Sequence, residues 1–443
     1  MLRVFALSLC LLATATLFGF SPASSAQTYT ISTPQHAPTS AAPDLYTEAI
    51  TLHYDDLARD LSKLPPGPEH DLFAGVLADS TSRFDESIRL LTPISIATDM
   101  PRNLMALALG SLADDYVKTF HYREASALYQ RLLDSYADVL SPELRRDDQD
   151  DSETLKLLIN APPQTIDIPS PIDLHTHSDP LGSITADLTA HNITAPWILD
   201  TGANFSAISE SFAHQLGLTL LPGTAHTQGA TGAENPLHIA LLDTLTIGSA
   251  TLHNVVLLVL PDANLTIQRG RKHYVIPAAL GYPVFQALSI IRFTHDHHFQ
   301  AGPTLPLTGD SAPIYMQKLN VLFSCTTHNL QRTFLFDSGA NESTFFVLYY
   351  HDFLIDFLHQ TEGTRQGYGV GGTSSDPVYI LDHVDLELAN RIADLNHIAV
   401  LKAPQHTLSD EYEGSLGRDL INAFDSLTLD LTHDRVYPGR PRN

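Results

Sequence analysis

The chain has 443 residues, of which 43% are hydrophobic and 17% are charged. This composition is typical of a globular protein long enough for two or three domains. Its formal net charge of −25 repels polyanions and argues against nucleic acid or an anionic membrane surface as a partner. Composition predicts neither fold nor activity, so both must be inferred from motifs along the chain.

Residues 1–26 have the three segments of a secretory signal peptide: a basic start at Arg3, an apolar stretch from Val4 to Phe20, and small residues up to Ala26. We expect cleavage near Ala26 and export to the periplasm or medium, with an uncleaved anchor as the alternative. Residues 27–43 are predicted to be a disordered leader. The mature chain then keeps one cysteine, which cannot form an internal disulfide and favours a bacterial exported protein.

Residues 44–160 are predicted to form an α-helical domain, because apolar residues recur at one-face spacing. Two helix pairs resemble each other at an offset of 38 residues, one beginning at Phe84 and the other at Tyr122. The region is similar to degenerate tetratricopeptide repeats, and a plain helical bundle is the alternative. The charge run from Arg145 to Asp151 is expected on a solvated face of the last helix.

Strand patterns dominate after the proline-rich passage that begins at Pro162. We place a first lobe at residues 161–302 and a second at 303–443, with the division in a Gly/Pro cluster. The predicted strands are Ile193–Leu199, Leu252–Leu260, Leu288–Phe293, Thr333–Phe336, Val378–Leu388 and Leu427–Leu431.

One short sequence motif occurs twice, in both cases an apolar run followed by Asp and a Gly turn. The first contains Asp200 and Gly202, and the second contains Asp337 and Gly339, at an offset of 137 residues (337 − 200). His-Asn pairs, serines, Gln-Gly, Leu-Gly and Thr-His-Asp sequences repeat at nearly the same offset. Equal spacing of unlike elements predicts a duplicated fold with two matching lobes.

The two aspartates are the candidate catalytic residues. Gly202 and Gly339 permit a sharp turn behind each carboxyl group, and the hydroxyls of Thr201 and Ser338 can tie the two loops together. Two carboxyl groups held close cannot both ionise easily, so they share one proton. The ionised member can then activate a water molecule.

These motifs resemble those of retroviral-type and pepsin-like aspartic proteases. The retroviral enzymes carry apolar-apolar-Asp-Thr-Gly-Ala, as in Ile198–Ala203, and a later apolar-Gly-Arg-Asp-apolar-apolar motif, as in Leu416–Ile421. The acid that pairs with the Arg in that family is replaced by Asn204 and Asn341, so this pairing is expected to be absent or altered. The resemblance spans roughly residues 185–440.

The same resemblance implies a β-hairpin flap in each lobe that closes over the substrate. The candidate flap residues are Gly229, Gly232, Tyr368, Gly369 and Gly371. Tight turns unrelated to substrate are the alternative interpretation, since Gly is common in turns.

The cluster His295-Asp296-His297-His298 suggests a second chemistry, because histidine clusters bind zinc. The repeated Thr-His-Asp core favours a hairpin turn, and no metal or cofactor is predicted. Cys325 is expected to be a packed thiol and not a nucleophile.

The predicted fold is therefore mainly β in the catalytic part, a bilobal aspartic-protease barrel fold with duplicated lobes behind a helical repeat-like domain. The predicted function is an aspartic endopeptidase that acts on protein or peptide substrates. Since one chain supplies both aspartates, a monomer is expected to suffice, and the helical domain is a candidate docking site for a protein partner. The alternative from another class is a catalytically silent, peptide-binding scaffold with a protease-like cleft; a zymogen whose residues 27–160 act as a prosegment is a third.

Overall fold

A computed structural model of the chain describes residues 44–228, 234–269, 272–357, 360–405 and 407–442. The predicted signal peptide and leader lie outside these residues. Among the helices described, none combines the length and hydrophobicity that a membrane crossing requires.

The N-terminal part is helical, as predicted for residues 44–160. Two of its helix pairs turn at residues with positive φ, Ser82 (50°) and Phe120 (61°), which are 38 positions apart (120 − 82). Gly75 lets the first pair pack closely, since a Cβ there would lie 2.5 Å from Leu91 Cδ2. The helices are α1 Leu45–Ile50, α2 Tyr54–Leu61, α3 Pro68–Ser80, α4 Phe84–Ser95, α5 Arg102–Lys118, α6 Tyr122–Tyr136 and α7 Pro142–Leu158.

The remainder of the chain is mainly β, also as predicted. The elements up to residue 301 are β1 Thr165–Asp167, β2 Ile172–Ser178, β3 Ile184–Ala190, β4 Ile193–Leu199, β5 Ser206–Ser209, α8 Glu210–Gln215, β6 Ala225–Gln228, β7 Glu234–Ile247, β8 Ala250–Leu260, β9 Thr266–Arg269, β10 Lys272–Val275, β11 Ala278–Leu280, α9 Tyr282–Leu288, β12 Ile290–Thr294 and β13 His298–Ala301.

The strand predicted from Leu288 begins later than expected. Leu288 ends helix α9, which starts with Pro283 in its first turn, a position that suits the fixed φ of proline. Ser289 then adopts a φ of 69°, and the strand starts at Ile290.

The elements after residue 302 follow a similar order. They are β14 Ala312–Gln317, β15 Asn320–Thr327, β16 Leu330–Phe336, β17 Thr344–Phe345, α10 Val347–Asp352, β18 Thr361–Gly369, β19 Gly372–Leu388, β20 Arg391–Leu401, β21 Gly414–Leu416, α11 Arg418–Asn422, β22 Ser426–Asp430 and β23 Arg435–Pro438.

The strands that lead to the two aspartates belong to hairpins with two-residue turns. His191 and Asn192 (φ 46° and 65°) connect β3 to β4, and His328 and Asn329 (φ 51° and 60°) connect β15 to β16. Two successive residues with positive φ match the right-handed twist of a hairpin, and Asn tolerates this conformation well. The repeated His-Asn pair therefore fixes the strand that precedes each aspartate.

The two β halves share a sheet. Strand β12 pairs antiparallel with β22, with Ile290 opposite Asp430, while β13 pairs with β2 and β14 with β23. The Thr-His-Asp sequences lie in the β12–β13 and β22–β23 turns, as the hairpin interpretation predicted. The halves are therefore joined by backbone hydrogen bonds as well as by side chains.

The helical part is attached to the β part through a buried lysine. Lys318 lies in the β14–β15 turn, is 8% exposed, and its Nζ donates to carboxylates of Asp147, Asp148 and Asp151 on α7. The distances to Asp148 and Asp151 are both 2.8 Å. The expectation that this charge run faces solvent holds for Arg145 and Arg146, which are exposed, and is wrong for Asp148, which is buried because the buried ammonium of Lys318 requires paired carboxylates.

Candidate active site

Each aspartate follows the buried C-terminal end of a strand that is paired in parallel with the strand of a Leu-Gly motif. Strand β4 pairs with β11, and the Asp200 N–H donates to Leu280 O at 3.2 Å. Strand β16 pairs with β21, and the Asp337 N–H donates to Leu416 O at 3.0 Å. The Leu-Gly motif of each half therefore positions its aspartate.

The glycine of each turn contacts the aspartate of the other turn. A Cβ at Gly202 would lie 2.6 Å from Asp337 Cγ, and one at Gly339 would lie even closer to Asp200 Cγ. Because real Cβ atoms do not approach this closely, only glycine fits at both positions. The structure therefore brings Asp200 and Asp337 face to face, although they are 137 residues apart.

Thr201 and Ser338 join the two turns through reciprocal hydrogen bonds. The Thr201 N–H donates to Ser338 Oγ and the Ser338 N–H donates to Thr201 Oγ1, both at 3.0 Å. Each hydroxyl then donates across the interface to a carbonyl, Thr201 to Phe336 O at 3.1 Å and Ser338 to Leu199 O at 2.7 Å. Each of these two buried hydroxyls therefore donates one hydrogen bond to the opposite half and accepts one from it.

The carboxyl groups accept backbone hydrogen bonds from their own turns. Asp200 Oδ1 accepts from Gly202 N at 3.0 Å, and Asp337 Oδ1 accepts from Gly339 N at 2.9 Å and Ala340 N at 3.1 Å. Burial raises the pKa of both groups, and the neighbouring Asp337 charge raises the pKa of Asp200 further. Two adjacent buried carboxyl groups with raised pKa values can hold one proton between them.

The serines that follow each aspartate by six residues support the Leu-Gly motifs. Gly281 N donates to Ser206 Oγ at 3.0 Å, and Gly417 N donates to Ser343 Oγ at 3.0 Å. In the second half, Asp419 also accepts from Ser343 N at 2.9 Å. The equal offset of the serines was visible in the sequence, but their role was not.

Arg418 does not pair with an acid four residues after an aspartate, because Asn204 and Asn341 occupy those positions. Its partners are different, as predicted. Its Nη1 donates to Ser178 Oγ at 2.7 Å, at the end of β2, and to Gly182 O at 2.6 Å, in the β2–β3 turn of the first half. This residue therefore links the halves, which the resemblance did not predict.

Two hairpins occupy the positions of the predicted flaps. The first is formed by β6 and β7, and the tip with Gly229 and Gly232 lies outside the described residues. The second is formed by β18 and β19, with Gly369 opposite Gly372 and Gly371 in the turn at a φ of 91°. Tyr368 belongs to β18 and its backbone pairs with Thr373; its side chain is outside the description.

The turn of the second hairpin contacts the first half. Gly371 N donates to Asn264 O at 3.0 Å, and Asn264 Nδ2 donates at 2.7 Å to Oδ1 of Asn235, which is in β7. The turn of one hairpin is therefore tied to the stem of the other.

The remaining candidate residues have ordinary structural environments. Cys325 is a buried thiol, 1% exposed, with a pKa raised by burial. His295 Nδ1 lies 3.1 Å from Asp425 O, whereas His298 Nδ1 lies 2.6 Å from Asp173 Oδ1, so these two rings have different partners.

Comparison with known proteins identifies part of the chain. A family model described as "Aspartyl protease" matches residues 186–284. Among solved structures, the chain is similar to a retropepsin-like aspartic protease from Rickettsia conorii at 17% identity, covering 31% of this chain and 91% of that chain, with a TM-score of 0.22. A search of curated proteins gave no match. Residues 186–284, which contain Asp200 and the Leu280-Gly281 motif, are therefore similar in sequence to the aspartyl protease family.

Proposed function

We propose that the protein is an aspartic endopeptidase in which Asp200 and Asp337 hydrolyse a peptide bond by activating water. One observation carries the proposal: the glycine of each turn lies against the opposite carboxyl group, so both carboxyl groups face one point. The family match to the segment around Asp200 supports the same reaction class.

The proposed reaction needs one proton shared by the pair. The ionised carboxylate takes a proton from water as the water oxygen bonds to the scissile carbonyl carbon, while the protonated carboxyl group donates to the carbonyl oxygen. The resulting tetrahedral intermediate has two hydroxyl groups. When it collapses, the C–N bond breaks, the leaving nitrogen receives the proton taken from water, and the other carboxyl group recovers its own proton.

We also propose that the two β halves are duplicated lobes and that one chain is a complete enzyme. Support comes from paired contacts: the amide of each aspartate bonds to a Leu carbonyl, and the amide of each following glycine bonds to a serine. The reciprocal bonds between Thr201 and Ser338 occur within one chain, so no second copy is needed to bring the aspartates together.

Export and a docking role of the helical region remain part of the proposal. Its support is the signal-like segment at residues 1–26 and the resemblance of the two helix pairs. Part of the helical surface is unavailable to a partner because α7 binds Lys318.

The test is hydrolysis of denatured casein and a peptide library between pH 3 and pH 8, with and without pepstatin. Wild type should cleave both, and Asp200→Asn and Asp337→Asn should each lose at least about a thousandfold in kcat/KM, because the pair acts as a unit. The exposed Asp296→Asn is the matched control and should retain activity. Peptide binding without hydrolysis by folded wild type would instead support the silent scaffold.

A further inference from the structure

The helical part is bonded to the second β half at several points. The carboxylate of Asp55 on α2 accepts three hydrogen bonds from that half, donated by Tyr315 Oη at 2.7 Å, Ser324 Oγ at 3.0 Å and Gln331 Nε2 at 2.8 Å. The donors lie on β14, β15 and β16, and β16 is the strand that precedes the second aspartate. Together with the bonds from Lys318 to α7, these contacts fix the helices on the second half.

The C-terminal turns of α7 contact the first half instead. Glu153 Oε2 lies 2.9 Å from Nδ1 of His226, which is on β6 in the stem of the first hairpin. Leu157 packs on Gly223, just before that strand, where a Cβ would lie 2.5 Å from Leu157 Cδ2. Leu157 is nine residues beyond Asp148 (157 − 148), or about 14 Å along the helix axis. One helix therefore connects the second half to the stem of the first hairpin.

Helix α7 also lies beside the loop that follows the first aspartate. Leu155, which is 1% exposed, lines a small cavity of about 20 Å³ together with Asn204, Phe205 and Lys318. The backbone of Phe205 in turn touches the Leu-Gly motif, since a Cβ at Gly281 would lie 2.3 Å from the Phe205 carbonyl carbon. The loop therefore meets α7 and the second half at one cavity, and it also touches the motif that positions the first aspartate.

The segment after α7 makes a third contact with the first half. Gln164 is 8% exposed, and its Nε2 donates to Pro283 O at 2.8 Å. Pro283 belongs to α9, whose first residue, Tyr282, donates its N–H to Ala203 O at 2.8 Å. The helical part and its connection thus hold the first half at the hairpin stem, at the loop after the aspartate and at α9.

We propose that α7 positions the first half of the active site: it holds the stem of the first hairpin and the loop after Asp200 in a fixed position relative to the half that carries Asp337. This inference rests on the proposed function. Glu153 and Leu155 act on the reaction through the residues that they contact and are positioning residues. The helical region is then part of the working enzyme, whether or not it also binds a partner.

The two contacts should affect different kinetic constants. In the proposed endopeptidase the first hairpin covers the substrate, so releasing its stem at Glu153 weakens substrate binding and raises KM. The loop beside Leu155 carries a reacting group, so loosening it displaces that group and lowers kcat. A helix with a merely structural role would change the amount of folded protein and leave both constants of the folded enzyme unchanged.

The experiment measures kcat and KM for one cleaved peptide with the full chain without its signal segment, and circular dichroism gives the folded fraction of each variant. Glu153→Gln and His226→Gln should each raise KM about two- to fivefold, the size of effect expected from an exposed side-chain pair, and leave kcat unchanged. Because the two residues act as a pair, the double variant should raise KM no further than either single variant. Lys156→Gln, an exposed change on the same helix, is the matched control and should equal wild type.

Leu155 is tested separately. Leu155→Ala should lower kcat about tenfold with little change in KM, because the loop after Asp200 loses its support. Leu155→Met nearly conserves the volume of the side chain and should restore most of kcat. A fall in the folded fraction with an unchanged kcat of the folded enzyme would contradict the positioning role of Leu155.

The outcomes separate the two proposals. If wild type cleaves the peptide and all variants of these residues keep its kcat and KM, the role of α7 is refuted while the proposed function stands. If wild type folds and cleaves nothing at any pH, the proposed function fails and the role of α7 in it fails as well. If Leu155→Ala does not fold, the comparison of Glu153→Gln, His226→Gln and their double variant still decides the matter.

Discussion

Thr201 and Ser338 exchange hydrogen bonds in both directions, each backbone amide donating to the hydroxyl of the other residue at 3.0 Å. Both residues are almost fully buried. Their hydroxyls also reach carbonyls on the opposite strand, so the geometry of each turn depends on the other half. This interdependence leads to tests of stability as well as of activity.

Thr201→Val should lose both the hydroxyl acceptor for Ser338 N and the donor to Phe336 O. An unpaired buried amide and carbonyl cost about 1–3 kcal/mol each, so we expect a loss of about 2–4 kcal/mol in the free energy of unfolding. Thr201→Ser keeps the hydroxyl and is the matched control. Urea denaturation of the two variants checks this, and equal stability would show that these bonds contribute little.

Gly339→Ala should remove activity, because the added Cβ would overlap the Asp200 carboxyl group. The control is Gly67→Ala, since a Cβ at Gly67 meets no atom within 4 Å. We expect Gly339→Ala to lose at least about a hundredfold in kcat/KM, as small displacements of reacting groups are costly. Retained activity in this variant would contradict the close approach of the two turns.

Asp200→Asn should stabilise the protein at neutral pH. Burial and the Asp337 charge raise the pKa of Asp200 in the folded state. The folded protein therefore keeps a proton on this carboxyl group at pH values where the unfolded chain has released it. The stability that this bound proton adds is fully present below the pKa of 3.8 in the unfolded chain, and it is lost as pH rises through the folded pKa. The stability gained by the variant should therefore grow between pH 4 and pH 8.

Chemical denaturation across this range measures the effect. Asp296→Asn is the control, because Asp296 is exposed and its pKa is lowered by a hydrogen bond from Thr294. A stability difference between Asp200→Asn and wild type that does not change with pH would contradict the raised pKa.

Lys318→Met should weaken the attachment of the helical part to the β part. It leaves the carboxylates of Asp147, Asp148 and Asp151 without their common cation, and breaking a buried ion pair costs about 3–5 kcal/mol. Lys156→Met, an exposed change on the same helix, is the matched control. Thermal unfolding should show the loss only in Lys318→Met.

Ala203 and Ala340 occupy the position directly after the two turns, where pepsin-like enzymes carry Ser or Thr. Without a hydroxyl donor to the carboxylate, the pair should work in mild acid, with an optimum at about pH 5–6. Ala203→Thr combined with Ala340→Thr should lower that optimum. A pH profile of kcat/KM checks the shift, and an unchanged acidic limb would exclude the hydroxyl explanation.

The sequence was sufficient to predict the pair because a Gly turn after an apolar strand is a local requirement, and because the motif occurs twice in register. Asp200, Asp337, Thr201 and Ser338 are all brought together as expected. The similarity of the first segment to aspartyl proteases could also be inferred from its motif.

Other features depend on distant contacts that a single sequence does not contain. The run from Arg145 to Asp151 has the pattern of a solvated face, and the contact of its aspartates with Lys318, 167 residues beyond Asp151, is not visible in the sequence. The prediction of a strand at Leu288 is wrong because apolar runs in short helices and in strands have no distinct periodicity.

The bond between Gly371 N and Asn264 O also has a consequence for how fast a substrate can bind. In the proposed endopeptidase the substrate lies under this hairpin, so entry of an extended peptide requires the turn to separate from Asn264. Considered alone, a hydrogen bond of about 1 kcal/mol leaves the open form populated at roughly one part in six. Apparent affinity falls by that fraction, so the closed hairpin weakens binding only severalfold. Because so small a free-energy gap lets the turn open and close many times before a substrate arrives, capture would stay limited by collision, at a rate reduced by the same fraction.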